Sequence, residues 1–88
     1  MMKVSVYTQT GCGPCKLFKM WLRVEEIPYE EKNISENKDH LKEFMAFKAK
    51  GVPFTLIEED GQQTQYVGAT STLKNELRRY KEAKQPKL

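Results

Sequence analysis

Both cysteines of the 88-residue chain fall in one stretch, Thr10-Gly11-Cys12-Gly13-Pro14-Cys15-Lys16-Leu17-Phe18, three residues apart with a proline between them. What flanks the pair constrains the fold more than any other feature. Before it, Lys3-Val4-Ser5-Val6-Tyr7-Thr8 is short, β-branched and aromatic, and reads as a strand. After it, Leu17, Phe18, Trp21 and Leu22 form one apolar stripe at helical spacing, and the helix is expected to end near Glu26, ahead of Ile27-Pro28. The thiols therefore sit where a strand hands over to a helix. In α/β sheets that end of the strands is where ligands and chemistry collect.

The rest of the chain completes the pattern. Tyr29 to Ile34 reads as a second strand. Ser35 is the expected cap of a helix running to about Lys50, with Leu41, Phe44, Met45 and Phe47 inward and Gly51 past its end. Pro53 to Glu58 reads as a third strand, Asp60-Gly61 as a hairpin turn, and Gln62 to Val67 as the returning fourth strand. Gly68 breaks it, and Thr70 or Ser71 caps a last helix with Leu73, Leu77 and Tyr80 at i, i+4 and i+7. The order βαβαββα predicts an α/β domain over residues 1–83: a four-stranded mixed sheet flanked by helices, its first two strands parallel. A flexible tail is expected at 84–88. Trp21 and the methionines read as core filling.

Charge and length exclude some classes. Fifteen basic and twelve acidic residues give a net charge of +3, mixed along the chain, which makes no case for nucleic acid. The basic face of the last helix, with Lys74, Arg78, Arg79, Lys81 and Lys84, reads first as a solvated face and second as a patch for an acidic partner. No apolar run approaches the roughly 20 residues of a membrane span, and the start MMKVSVYTQTG lacks the apolar core of a secretory signal. A cytoplasmic monomer is expected, with no membrane or nucleic-acid partner. In that compartment paired cysteines are more often catalytic or metal-binding than structural.

Three uses of the cysteine pair compete. As a staple it closes so short a loop that chain entropy yields only about 2 kcal/mol, against about 4.7 for a 100-residue loop. As a closed zinc site it lacks ligands, since such sites take about four and His40 is the lone histidine. As a working dithiol it is well placed. Residues i and i+3 share a helix face, so Cys12 and Cys15 can close a disulfide or face each other as thiols. Cys12 at the helix start meets spare N–H groups and the positive end of the dipole, which favour an anion. A thiol of pKa about 8.5 is about 3% thiolate at pH 7, and one lowered to about 7 is half thiolate. Cys12 is then the attacking sulfur and the deeper Cys15 the resolving one. Pro14 stiffens the first turn, where its missing N–H costs nothing. Lys16 is a candidate electrostatic helper, and Gly13 completes the motif.

These residues resemble the thioredoxin and glutaredoxin superfamily along nearly the whole chain. The likeness rests on strand–Cys12-Gly13-Pro14-Cys15–helix, then Gly51-Val52-Pro53-Phe54-Thr55 about 40 residues on, then the Gly68 turn before the last helix. It implies a cis peptide bond before Pro53, and a substrate-binding face of Val52, Pro53 and Gly68 on which an extended partner segment pairs with the Val52 backbone. It implies no bound cofactor and no metal, only a reversible Cys12–Cys15 disulfide. The size looks like glutaredoxin and CGPC looks like thioredoxin. Gln9 stands where glutaredoxins typically carry a glutathione-binding lysine, and Gly68-Ala69-Thr70-Ser71-Thr72 lacks their acidic residue. That combination resembles the NrdH-redoxins. The resemblance implies a protein-disulfide reductase, an electron-transport protein of cell redox homeostasis, recycled by thioredoxin reductase and feeding ribonucleotide reductase. Two alternatives stay open: a glutathione-linked glutaredoxin, and a redox-inert adaptor or metal carrier. The chain departs from thioredoxins in having Gly11 before the first cysteine instead of Trp, and Val6 six residues before it instead of a buried Asp. Tyr66-Val67-Gly68-Ala69 replaces the aromatic-Ser-Gly-Phe segment usual in NrdH-redoxins.

Overall fold

The structure is a computed structural model that describes residues 2–84, with side chains described as far as Arg79. The elements are β1 (Met2–Thr8), α1 (Gly13–Val24), β2 (Glu30–Asn33), α2 (Lys38–Ala46), β3 (Phe54–Glu59), β4 (Gln62–Val67) and α3 (Ser71–Lys84). The four strands form one sheet in the order β2-β1-β3-β4. The helical crossover through α1 makes β1 and β2 parallel, from Ser5↔Glu30 to Thr8↔Asn33. β3 runs antiparallel to β1, from Met2↔Glu59 to Tyr7↔Phe54, and β4 antiparallel to β3. This is the mixed α/β architecture that the element order predicts.

Strand alternation sorts the core into two layers. On one face Val4, Val6 and Ile57 pack with Phe18 and Leu22 of α1 and Leu73 and Leu77 of α3. On the other, Tyr7, Phe54 and Leu56 meet Ile34, Phe44, Phe47 and Ala49, so α2 covers that side. The β3–β4 turn is a two-residue hairpin: Glu59 pairs with Gln62, and Asp60 and Gly61 both take positive φ, at 50° and 83°. That is the backbone of a type I′ turn, which Asp-Gly favours.

Several expected boundaries and orientations shift. Asn37, not Ser35, caps α2, its side chain accepting from the backbone N–H groups of Asp39 and His40. The Ser35 hydroxyl instead accepts from Thr10 N–H at 3.1 Å. α2 stops at Ala46, well short of Lys50. β2 keeps only Glu30–Asn33 of the expected 29–34, and β3 begins at Phe54, one residue after Pro53. On α1 the buried column is Cys15, Phe18 and Leu22, at i, i+3 and i+7. Leu17 heads a second column with Met20 and Val24 that faces outward, so Leu17 is 69% exposed. On α2, Leu41 and Met45 are likewise exposed while Phe44 and Phe47 pack inward. Exposed Met20 and Met45 correct the reading of the methionines as core. Trp21 is partly buried against the core. The basic side of α3 is not simply solvated: Lys74 and Arg78 lie over the Trp21 ring at 5.3 and 5.4 Å, and Arg79 pairs with Glu76. The side chains of Tyr80, Lys81 and Lys84, and the tail beyond Lys84, lie outside the described residues.

Candidate active site

β1 ends at Thr8, and a four-residue turn carries the chain into α1, closed by Cys12 N–H donating to the Gln9 carbonyl at 3.1 Å. Its third residue, Gly11, takes φ +83°, a position that favours glycine. The turn is tied down on its β2 side. Ile34 N–H donates to the Thr8 carbonyl at 2.8 Å, and Asn33 reaches the Thr10 hydroxyl. This loop aims Cys12 at the N-terminus of α1.

Cys12 is the N-cap residue of α1, in extended conformation. Its Sγ accepts the backbone N–H of Cys15 at 3.1 Å. An N-cap side chain normally supplies an oxygen there, and an anion is preferred at that end of the dipole. The same donor is available to a Cys12 thiolate once the pair is reduced. Pro14 falls in the first turn, as the sequence implies. Cys12 and Cys15 are joined in a disulfide, with Cα atoms 5.3 Å apart. The two sulfurs differ in access: Cys12 is half-buried, whereas Cys15 is only 2% exposed. Gly13, Pro14 and Lys16 are exposed around the rim.

The second group of expected site residues arrives from across the sheet. The Val52–Pro53 peptide bond is cis, as the resemblance implies. Pro53 is buried and its carbonyl accepts the Gly68 N–H at 2.8 Å, tying the entry to β3 to the exit from β4. Gly68 itself turns with φ +81°. Because Tyr7 pairs with Phe54 and Phe54 with Val67, these two loops leave the same end of the sheet as the Cys12 loop. Val52 is half-buried beside Pro53.

Sequence reading missed the polar cluster under the dithiol loop. Glu31 Oε2 accepts from the Thr8 hydroxyl at 2.7 Å and from Lys19 Nζ at 2.8 Å. The Lys19 hydrogen bond holds the Glu31 carboxyl below its usual value, against partial burial and with help from Thr8. The signal was present but scattered: Lys19 lies one turn beyond Cys15, and Thr8 shares its strand face with Val4 and Val6. Among the described residues, no cluster of three or more His, Cys, Asp or Glu is arranged to hold a metal ion.

A Cys-Gly-Pro-Cys pair at a strand–helix junction, on this sheet order and with a cis-proline loop at the same end of the sheet, defines a disulfide-bearing protein of the thioredoxin fold. Crystal structures agree. The thioredoxin-like protein BC3987 superposes with a TM-score of 0.66 at 24% identity, over 85% of this chain and 99% of that one. Thioredoxin f2 of Chlamydomonas reinhardtii does so at 0.66 and 18% identity, over 98% of this chain and 82% of that one. Within that fold, residues 4–61 match the family Glutaredoxin, and the chain belongs to that family. Glutaredoxin-like protein NrdH of Lactococcus lactis subsp. lactis (strain IL1403) is 32% identical over 50 residues, 57% of this chain and 69% of the relative. NrdH of the subspecies cremoris strain MG1363 matches to the same extent. The family and the disulfide-linked pair together make this a thiol–disulfide redoxin.

Proposed function

We propose that the chain reduces protein disulfides by a dithiol mechanism, takes its electrons from thioredoxin reductase in the cytoplasm, and counts ribonucleotide reductase among its targets. The observation that carries the mechanism is the asymmetry of the pair: an accessible Cys12 capping α1 and a buried Cys15 one turn inside. The Cys12 thiolate attacks a target disulfide. One sulfur of the target leaves as a thiolate and takes a proton from water, and a mixed disulfide forms. The Cys15 thiolate then attacks Cys12 Sγ. The Cys12–Cys15 bond forms, the mixed disulfide breaks, and the second target sulfur leaves reduced. Two electrons have passed to the target, and the reductase restores the dithiol.

The choice of electron donor is supported by the residues around the pair. Gln9 and the segment 68–72 offer no charged group to the two ends of glutathione. CGPC favours a thioredoxin-like potential near about −270 mV over the roughly −200 to −230 mV of glutaredoxins. The NrdH relatives support a redox-partner role of this kind.

Insulin reduction tests both points. With NADPH and thioredoxin reductase, turnover is expected. Turnover with glutathione and glutathione reductase alone would overturn the donor assignment in favour of a glutathione-linked glutaredoxin. Cys12→Ser abolishes turnover, and Cys15→Ser accumulates mixed disulfides with the target. Activity surviving in Cys12→Ser would refute the mechanism.

A further inference from the structure

The two edges of the sheet are protected unequally. β2, at one edge, is short and reads Glu30-Glu31-Lys32-Asn33, charged at all but its last position. β4, at the other, runs Gln62-Gln63-Thr64-Gln65-Tyr66-Val67 with neither a charge nor a proline. Charges, prolines, bulges and short length are what keep an open edge from pairing with another strand. β4 lacks these guards: its register against β3 is unbroken from Phe54↔Val67 to Glu59↔Gln62, and every residue but Tyr66 is exposed. The ladder also sets which backbone groups face outward. Gly68 N–H donates to the Pro53 carbonyl, which makes 53 and 68 a hydrogen-bonded pair. Such pairs alternate along an antiparallel ladder, so Gln62, Thr64 and Tyr66 turn their N–H and C=O groups toward β3. Gln63, Gln65 and Val67 turn theirs outward, and among the described residues no hydrogen bond from another element reaches them.

We propose that the outward edge of β4 pairs antiparallel with β4 of a second copy of this chain, across a two-fold axis at Gln65. Symmetry and backbone phase together select that occupant and register. A two-fold axis normal to the sheet reverses the strand, keeps each face on its own side and passes through one residue of the edge. Gln65 is the outward-facing residue with an outward-facing neighbour on both sides. It exchanges N–H···O=C bonds with Gln65 of the second copy, and Gln63 does so with Val67 of the second copy in both halves of the interface. Between them Thr64 lies opposite Tyr66 of the second copy, an aromatic–β-branched pair at the closer, non-hydrogen-bonded spacing. No like charges meet. The same operation on β2, about Glu31 or Lys32, would set a charge against itself. The dithiol loop leaves the Thr8, Pro53 and Gly68 end of the sheet, so antiparallel pairing sends the two Cys12 loops to opposite ends of the joined sheet and leaves both open to targets. An interface of one strand from each copy is small, and interfaces below about 1,200 Å² are weak. The chain is therefore monomeric when dilute and dimeric when concentrated.

Sedimentation equilibrium of the oxidised protein, which has no free thiol, tests this from about 1 µM to about 1 mM. A monomer–dimer equilibrium is expected within that range. Amide hydrogen exchange at its two ends locates the contact. Gln63, Gln65 and Val67 become protected at the high concentration, whereas Thr64 and Tyr66, bonded to β3, are protected at both. Gln65→Pro removes an outward N–H without touching the β3 ladder, and weakens the dimer at least about tenfold. Gln65→Lys sets like charges opposite each other at the axis, weakens it likewise, and recovers in part at high salt. The lysine variant carries the test if the proline variant does not fold. Val24→Lys, on the exposed column of α1, leaves the dimer intact. A monomer at every concentration overturns the proposal, as does a dimer that survives both Gln65 variants or that Val24→Lys dissociates. Protection of Gln63, Gln65 and Val67 already complete in dilute solution, or appearing only with an added extended target peptide, overturns it too.

Discussion

Raising the pH should destabilise this protein through one buried phenol. Tyr7 is 1% exposed, its ring packed among Phe44, Phe47 and Phe54. Its hydroxyl donates to Glu43 Oε1 at 2.7 Å, and Lys32 Nζ reaches the same oxygen at 2.9 Å. Burial first, then the hydrogen bond to Glu43, push the Tyr7 phenol from 10.0 up to about 12. The neutral form is thus favoured in the folded state. The stabilisation is fully present below the unfolded value of 10.0, declines as pH rises through the folded value, and is gone above about 12. Two units correspond to roughly 2–3 kcal/mol, a large share of the 5–15 kcal/mol typical of a domain. Urea unfolding of the oxidised protein between pH 9 and 12 measures it. With a slope near 1 kcal/mol per M, the midpoint falls by roughly 2 M over that range. Tyr7→Phe keeps the ring and the Lys32–Glu43 pair but loses this decline. Parallel loss of stability in the parent and Tyr7→Phe would refute the reasoning.

Two further substitutions probe the supports of the site. Glu31→Gln breaks the Lys19 ion pair, whose partners are 29% and 33% exposed, so the cost at neutral pH is at most about 1 kcal/mol. Because the Glu31 pKa is lowered, that difference is present above the usual carboxylate range and vanishes as pH falls through the depressed value. Thermal unfolding at neutral and acid pH checks both halves. Asn37→Ala removes the acceptor that caps α2 and costs about 1 kcal/mol, read as faster amide exchange in the first turn of α2. A larger effect of Ser35→Ala there would contradict the capping assignment.

What could be read from the chain divides by the range of the interactions involved. The hairpin at Asp60-Gly61, the parallel β1–β2 pair and the Cys12 cap are local, written in turn chemistry, spacing and the order of elements. Orientation around α1 was not. Two apolar columns lie side by side there, 15-18-22 and 17-20-24, and only the sheet beneath decides which is buried. Competition hid the start of α2: Ser35 and Asn37 are both good caps, and Ser35 is drawn away by Thr10 from a loop 25 residues earlier. The setting of Cys15 is of this second kind. Glu31, in a different strand, reaches Lys19 one turn beyond Cys15 only through strand register. Hence the two sulfurs are positioned by different parts of the sequence. Cys12 takes its capping position from a turn and a helix start over residues 9–16, joined by local hydrogen bonds. Cys15 instead lies on the buried column of α1 with Phe18 and Leu22, which pack on the sheet. The exposure of the two sulfurs is therefore set separately, that of Cys12 by its turn and that of Cys15 by the packing of α1 on the sheet.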